Sequence, residues 1–126
     1  MKQEEKKNTQ VDLGEIGMID LPTFDCKPFI GKEVKIASAT THQGAYGYYV
    51  KVETEVVTEF NGNDIKASKI FGLQEDAEQN IGWGAETKLG LYLAKNKVKH
   101  FKELVGKPVI LQSRTNKDGN DFLDFN

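Results

Sequence analysis

The chain is poor in the residues that staple, cage or ligate. Among 126 residues there is one cysteine, one arginine, one tryptophan, two histidines and three prolines. A lone Cys26 excludes an internal disulfide and every fold that depends on a disulfide framework, which points to a reducing compartment and a cytoplasmic location. A lone Arg114 excludes a cage of guanidinium forks around phosphate. Cys26, His42 and His100 are scattered, without Cys-x-x-Cys or His-x-x-x-His spacing, so neither a metal nor any other cofactor is expected. The longest uncharged apolar run, residues 89–94, is far too short to cross a bilayer, and no membrane partner is expected. Residues 1–7 lack the apolar stretch of a signal peptide.

What is present is enough for a core. A domain of this length buries roughly two-thirds of the surface its unfolded chain exposes, and 38% hydrophobic with 10% aromatic residues supplies the apolar material. The net charge of -2 hides segregation. Residues 8–25 carry Asp12, Glu15, Asp20 and Asp25 and no base, whereas residues 88–107 carry six lysines against Glu103. Any polyanion partner must therefore meet a local cationic surface rather than a basic protein.

The hydrophobic pattern has two regimes. Residues 1–25 read as a flexible polar tail followed by an acidic arm whose Ile16, Met18, Ile19, Leu21 and Phe24 could anchor it. That arm either lies against the basic surface as a polyanion mimic or completes the core. Residues 26–126 read as one β domain. Alternation marks a first strand at residues 33–40 and a second at 48–57, with Tyr48, Val50, Val52, Thr54 and Val56 on the inner face and Tyr49, Lys51, Glu53 and Glu55 on the outer. After the turn at residues 61–64, a third strand spans 65–73. A loop follows, and the one convincing helix lies within residues 86–96, where Leu89, Tyr92 and Leu93 share a face. Gly90 weakens that helix by roughly 1 kcal/mol relative to alanine. Strands at 108–113 and 122–125 flank a hairpin turn at 116–120. The expected core is Val34, Ile36, Val50, Val52, Leu89, Leu93, Val109, Leu111 and Leu123. One internal echo stands out: residues 29–36, FIGKEVKI, and residues 104–111, LVGKPVIL, both read apolar, apolar, Gly, Lys, any residue, Val, then strand.

Three strands, a helix and two strands in about 100 residues resemble the OB-fold, a five-stranded Greek-key barrel with its one helix between strands three and four. The Gly-Lys-x-Val entries look like that fold's strand entries. Tyr46-Gly47-Tyr48-Tyr49-Val50 is similar to the aromatic-Gly-aromatic strand motif of cold-shock and RRM proteins, with Gly44-Ala45 where those carry a base and glycine. The resemblance implies a mainly β, OB-like barrel that binds single-stranded DNA or RNA on the face of its second and third strands. Carried onto this sequence, that face and its loops hold Tyr46, Tyr49, Lys51, Lys66, Lys69, Phe71 and Arg114. Trp83, between Gly82 and Gly84, either plugs the barrel mouth or stacks on the ligand.

Chemistry points away from catalysis. A Cys26 nucleophile has no histidine and orienting group placed beside it, the carboxylates have no apolar pocket to raise a pKa, and no phosphate-binding glycine motif occurs. The expectation is a non-enzymatic binder of single-stranded nucleic acid. The alternative is a protein-interaction or structural module on the same small barrel, which an acidic net charge also suits.

Overall fold

A computed structural model describes residues 23–126. The acidic arm and the tail before it therefore lie outside the described residues, except for residues 23–25. The fold is mainly β. Its centre is a five-stranded antiparallel sheet made of β1 (Glu33–Gly44), β2 (Gly47–Thr54), β5 (Ser68–Gly72), β8 (Pro108–Thr115) and β9 (Asp121–Phe125), in the order β9-β8-β1-β2-β5. Two small hairpins, β3 (Thr58–Phe60) with β4 (Asn63–Ile65) and β6 (Gln74–Glu75) with β7 (Ile81–Gly82), interrupt the run before the helix α1 (Lys88–Lys95). No helix among the described residues is long and apolar enough to cross a membrane.

Strand β1 is shared. Its first residues, Glu33 to Lys35, pair with β8, and from Ile36 onward it pairs with β2, that ladder shifting register between Ile36 and Ser38. Such an irregularity bends a strand and increases its twist, which lets one strand serve two neighbours of a curled sheet. The inner face then follows from period-two alternation. Ile36, Val50, Val52, Val109, Leu111, Leu123 and Phe125 are buried, and Leu89, Leu93 and Leu104 cover them from the helical side. Thr54 is the polar exception on this face. Its hydroxyl donates to the Glu55 carbonyl and accepts from the Ala67 N–H, so no hydrogen-bonding group is stranded.

The sequence echo is a local two-fold in the β1–β8 pair. Val34 stands opposite Val109 at its centre. Gly31 N–H donates to the Leu111 carbonyl at 2.8 Å, and Gly106 N–H donates to the Ile36 carbonyl at 2.7 Å. In return Leu111 N–H donates to Lys32 and Ile36 N–H to Lys107. Each glycine follows a short 3-10 turn, Lys27–Phe29 or Phe101–Leu104, at φ of 89° and 91°, where a Cβ would be strained.

The fold departs from the sequence expectations in several places. The large sheet is not closed into a barrel by backbone pairing: β5 and β9 are its two edges, and no ladder joins them among the described residues. The helix does not directly follow a third strand, because seven described strands precede it. The expected third strand breaks at Lys66 and Ala67. Asn61 and Gly62, both at positive φ, turn residues 63–65 back onto Thr58–Phe60, and only residues 68–72 join the large sheet. Residues 74–85 are not plain loop. Asp76 accepts from the N–H groups of Glu78 and Asn80 and from the Asn80 amide, which fixes a tight turn between β6 and β7. Tyr48 is 40% exposed rather than core, since it lies near the hairpin end beyond the last buried valine. Val56 is exposed because β2 ends at Thr54. Val34 is only partly buried.

Candidate nucleic-acid interface

The outer face of β1, β2 and β5 is built by register. Tyr49 stands between His42 and Gly72, Lys51 between Thr40 and Ile70, and Glu53 between Ser38 and Ser68. The Tyr49 and His42 rings stack with centroids 5.4 Å apart and planes inclined by 23°. The Thr40 hydroxyl lies 2.8 Å from His42 Nε2 and holds the imidazole over its own strand. Gly72, the register partner of Tyr49 on β5, adds no side chain on that flank, and the half-buried ring also lies close to Gly44. Lys51 pairs with Glu53 at 3.6 Å, a partly exposed, loose contact that a phosphate could replace at little cost. Tyr46 stands fully exposed at the tip of the β1–β2 hairpin.

The other expected residues go elsewhere. Lys66 is exposed in the turn between β4 and β5. Phe71 was expected on the outer face and is instead 7% exposed in the core, its ring 5.2 Å from Tyr92. The break at Lys66 and Ala67 sets this parity: Ala67 and Phe71 point inward, and Ile70 points out, 62% exposed. Trp83 is half-buried and packs edge-on against His100 and Phe101. Together with Tyr48, which leaves β2 on the face opposite Tyr49, it lines a separate cavity of about 350 Å³.

Lys69 and Arg114 meet at a residue the sequence reading passed over. Asp124 is 2% exposed. Its Oδ2 accepts from Arg114 Nε at 2.8 Å and Nη2 at 2.6 Å, and its Oδ1 lies 3.1 Å from Lys69 Nζ. Burial opposes ionisation of this carboxyl, yet hydrogen bonds from Arg114, the Phe125 backbone and Lys69 outweigh it and hold the pKa below the usual value. Lys69 is thus a seam residue, its amine also 5.2 Å from the Phe125 ring centroid, and not a free cation of the outer face.

Above Asp124 runs a groove of about 350 Å³ between the two sheet edges. Ile70 and Phe122 form apolar walls, and Lys88 and Arg114 bring positive charge. Phe122 is legible in hindsight, since antiparallel pairing sets it opposite Arg114 and alternation turns Leu123 and Phe125 inward. Lys88 opens α1, and its approach to this groove is a tertiary fact with no sequence signal. No family model, curated protein or solved structure matches the chain.

Proposed function

We propose that this protein binds single-stranded nucleic acid without catalysing a reaction, using an OB-like sheet. The strand order β9-β8-β1-β2-β5, with β1 shared between β8 and β2, is the order an OB-fold would have if its third and fifth strands stood apart. The observation that carries the reading is the stack of half-buried Tyr49 on exposed His42 beside Lys51, continuous across Ile70 with a groove that adds Phe122, Lys88 and Arg114. Aromatic faces accept any base by stacking, and interleaved cations follow the phosphates.

Fluorescence anisotropy with a labelled oligonucleotide at two salt concentrations tests this. Binding that weakens as salt rises supports it through counterion release. Absence of binding at low salt overturns it. A second reading, a protein-interaction module, draws on Ile70, 62% exposed on the open edge β5, which could take an added strand. An interface of that kind would respond weakly to salt.

A further inference from the structure

We propose that the groove between β5 and β9 is a base subsite that prefers guanine, an inference that rests on the single-strand reading. A guanidinium carries five N–H groups in a fixed plane. Arg114 spends Nε–H and one Nη2–H on Asp124 Oδ2, at 2.8 and 2.6 Å. The remaining Nη2–H and Nη1–H groups form a second parallel pair at the end of the side chain, and no described residue accepts from them. Arg114 is 58% exposed, while Asp124 beneath it is 2% exposed. A buried carboxylate therefore clamps one edge of the fork and leaves the other edge to the groove.

The groove contains charged donors and no free charged acceptor. Lys88 and Arg114 line it, and the one carboxylate, Asp124, is already engaged by Arg114 and Lys69. A ligand edge with two adjacent acceptors is the complement. Guanine offers N7 and O6, and an arginine fork on that pair is the commonest specific base contact. Adenine places an amine beside N7 and would set donor against donor. Thymine has an N–H between its two carbonyls. Cytosine offers O2 and N3, but on a smaller ring. The walls decide between these two, because Ile70 at 62% and Phe122 at 39% exposure present apolar surface that a purine covers more fully. Phosphate would satisfy the fork and leave both walls wet.

Arg114 is thus the residue that reads the base, and Asp124 is a positioning residue that acts through it. The test uses the full chain and fluorescein-labelled oligothymidines of about 12 nucleotides, each with a single central guanine, cytosine or adenine, or with none. The guanine probe is expected to bind at least about fivefold more tightly than the all-thymine probe, with cytosine between them. Arg114→Lys keeps a charge beside Asp124 but has no fork, and in it the guanine-to-thymine affinity ratio falls to about one. Should that variant melt early, Ile70→Thr on the exposed face removes a wall without touching the ion pair, and the same ratio must shrink. Equal affinities for all four probes, a guanine preference that survives in Arg114→Lys, or one that is undiminished in Ile70→Thr, overturns the subsite while leaving single-strand binding in place. Failure of every probe to bind at low salt overturns the single-strand reading and the subsite with it.

Discussion

Lys69 Nζ lies 3.1 Å from Asp124 Oδ1, and the two residues stand on β5 and β9, the opposite edges of one sheet. Two strands that share no backbone ladder are therefore tied by an ion pair. Arg114, reaching from β8 to the same carboxylate, makes it a three-strand junction. The seam of the sheet and the floor of the groove are the same set of atoms.

Asp124→Asn is expected to destabilise the fold by about 3 kcal/mol at neutral pH, because it leaves two cations facing a neutral, buried partner. The folded-state pKa of Asp124 is depressed. Its contribution is complete above the ordinary aspartate value, about 3.9, and is lost as pH falls through the lower folded value. Urea unfolding at pH 7 and at about pH 3 checks this: the gap between wild type and variant should narrow in acid.

Tyr49→Ala should weaken oligonucleotide binding by roughly tenfold or more, the cost of one stacked base, with an unchanged melting temperature. Lys51→Glu should weaken binding and also reduce the slope of log affinity against log salt by about one. Only the lysine variant should change that slope. Anisotropy titrations over a salt series, paired with thermal melts, separate the two.

The Tyr92 hydroxyl donates to the backbone oxygen of Asn126 at 2.9 Å, and its ring packs between Phe71 and Phe125. Burial pushes its pKa up to about 12. The stabilisation is therefore complete below the ordinary tyrosine value, about 10, and drains away as pH climbs toward 12. Tyr92→Phe should cost about 1 kcal/mol at pH 7 and flatten the alkaline limb of a stability-pH curve, read by denaturant midpoint.

Gly90→Ala should destabilise the protein although alanine favours helix by about 1 kcal/mol. A Cβ at position 90 would collide with the Gly84 carbonyl and lie 2.9 Å from the Ala85 carbonyl carbon. The collision is with backbone, which cannot swing aside, because the Thr87 hydroxyl ties the Gly84 carbonyl to the first turn of α1. A lowered melting temperature in Gly90→Ala confirms the close approach, and a raised one refutes it.

Alternation was enough to read Val50, Val52, Val109, Leu111 and Leu123 as buried, because those strands are regular and covered on one face. It failed at residues 65–73, where one apolar run serves both a small hairpin and the large sheet and the break inverts the parity of Phe71 and Ile70. Composition identified Lys69 and Arg114 as cations but could not reveal that Asp124 holds both. That fact needs strands 55 residues apart in sequence to meet. Gly90 was visible as a weak point of its helix, whereas the loop backbone against it was not.

The two-fold about Val34 and Val109 bears on assembly. A strand whose partner carries the same entry turn and the same central valine can pair as well with a copy of itself from another chain. Two β1 strands laid antiparallel about Val34 would set Glu33 opposite Lys35 twice, an attractive match of charges. Two β8 strands would set Pro108, which has no N–H, opposite Ile110. What favours the native pairing is tethering within one chain, which raises the local concentration of the right partner. Crowded refolding is thus the condition under which this chain is most exposed to exchanging strand β1 with a neighbour.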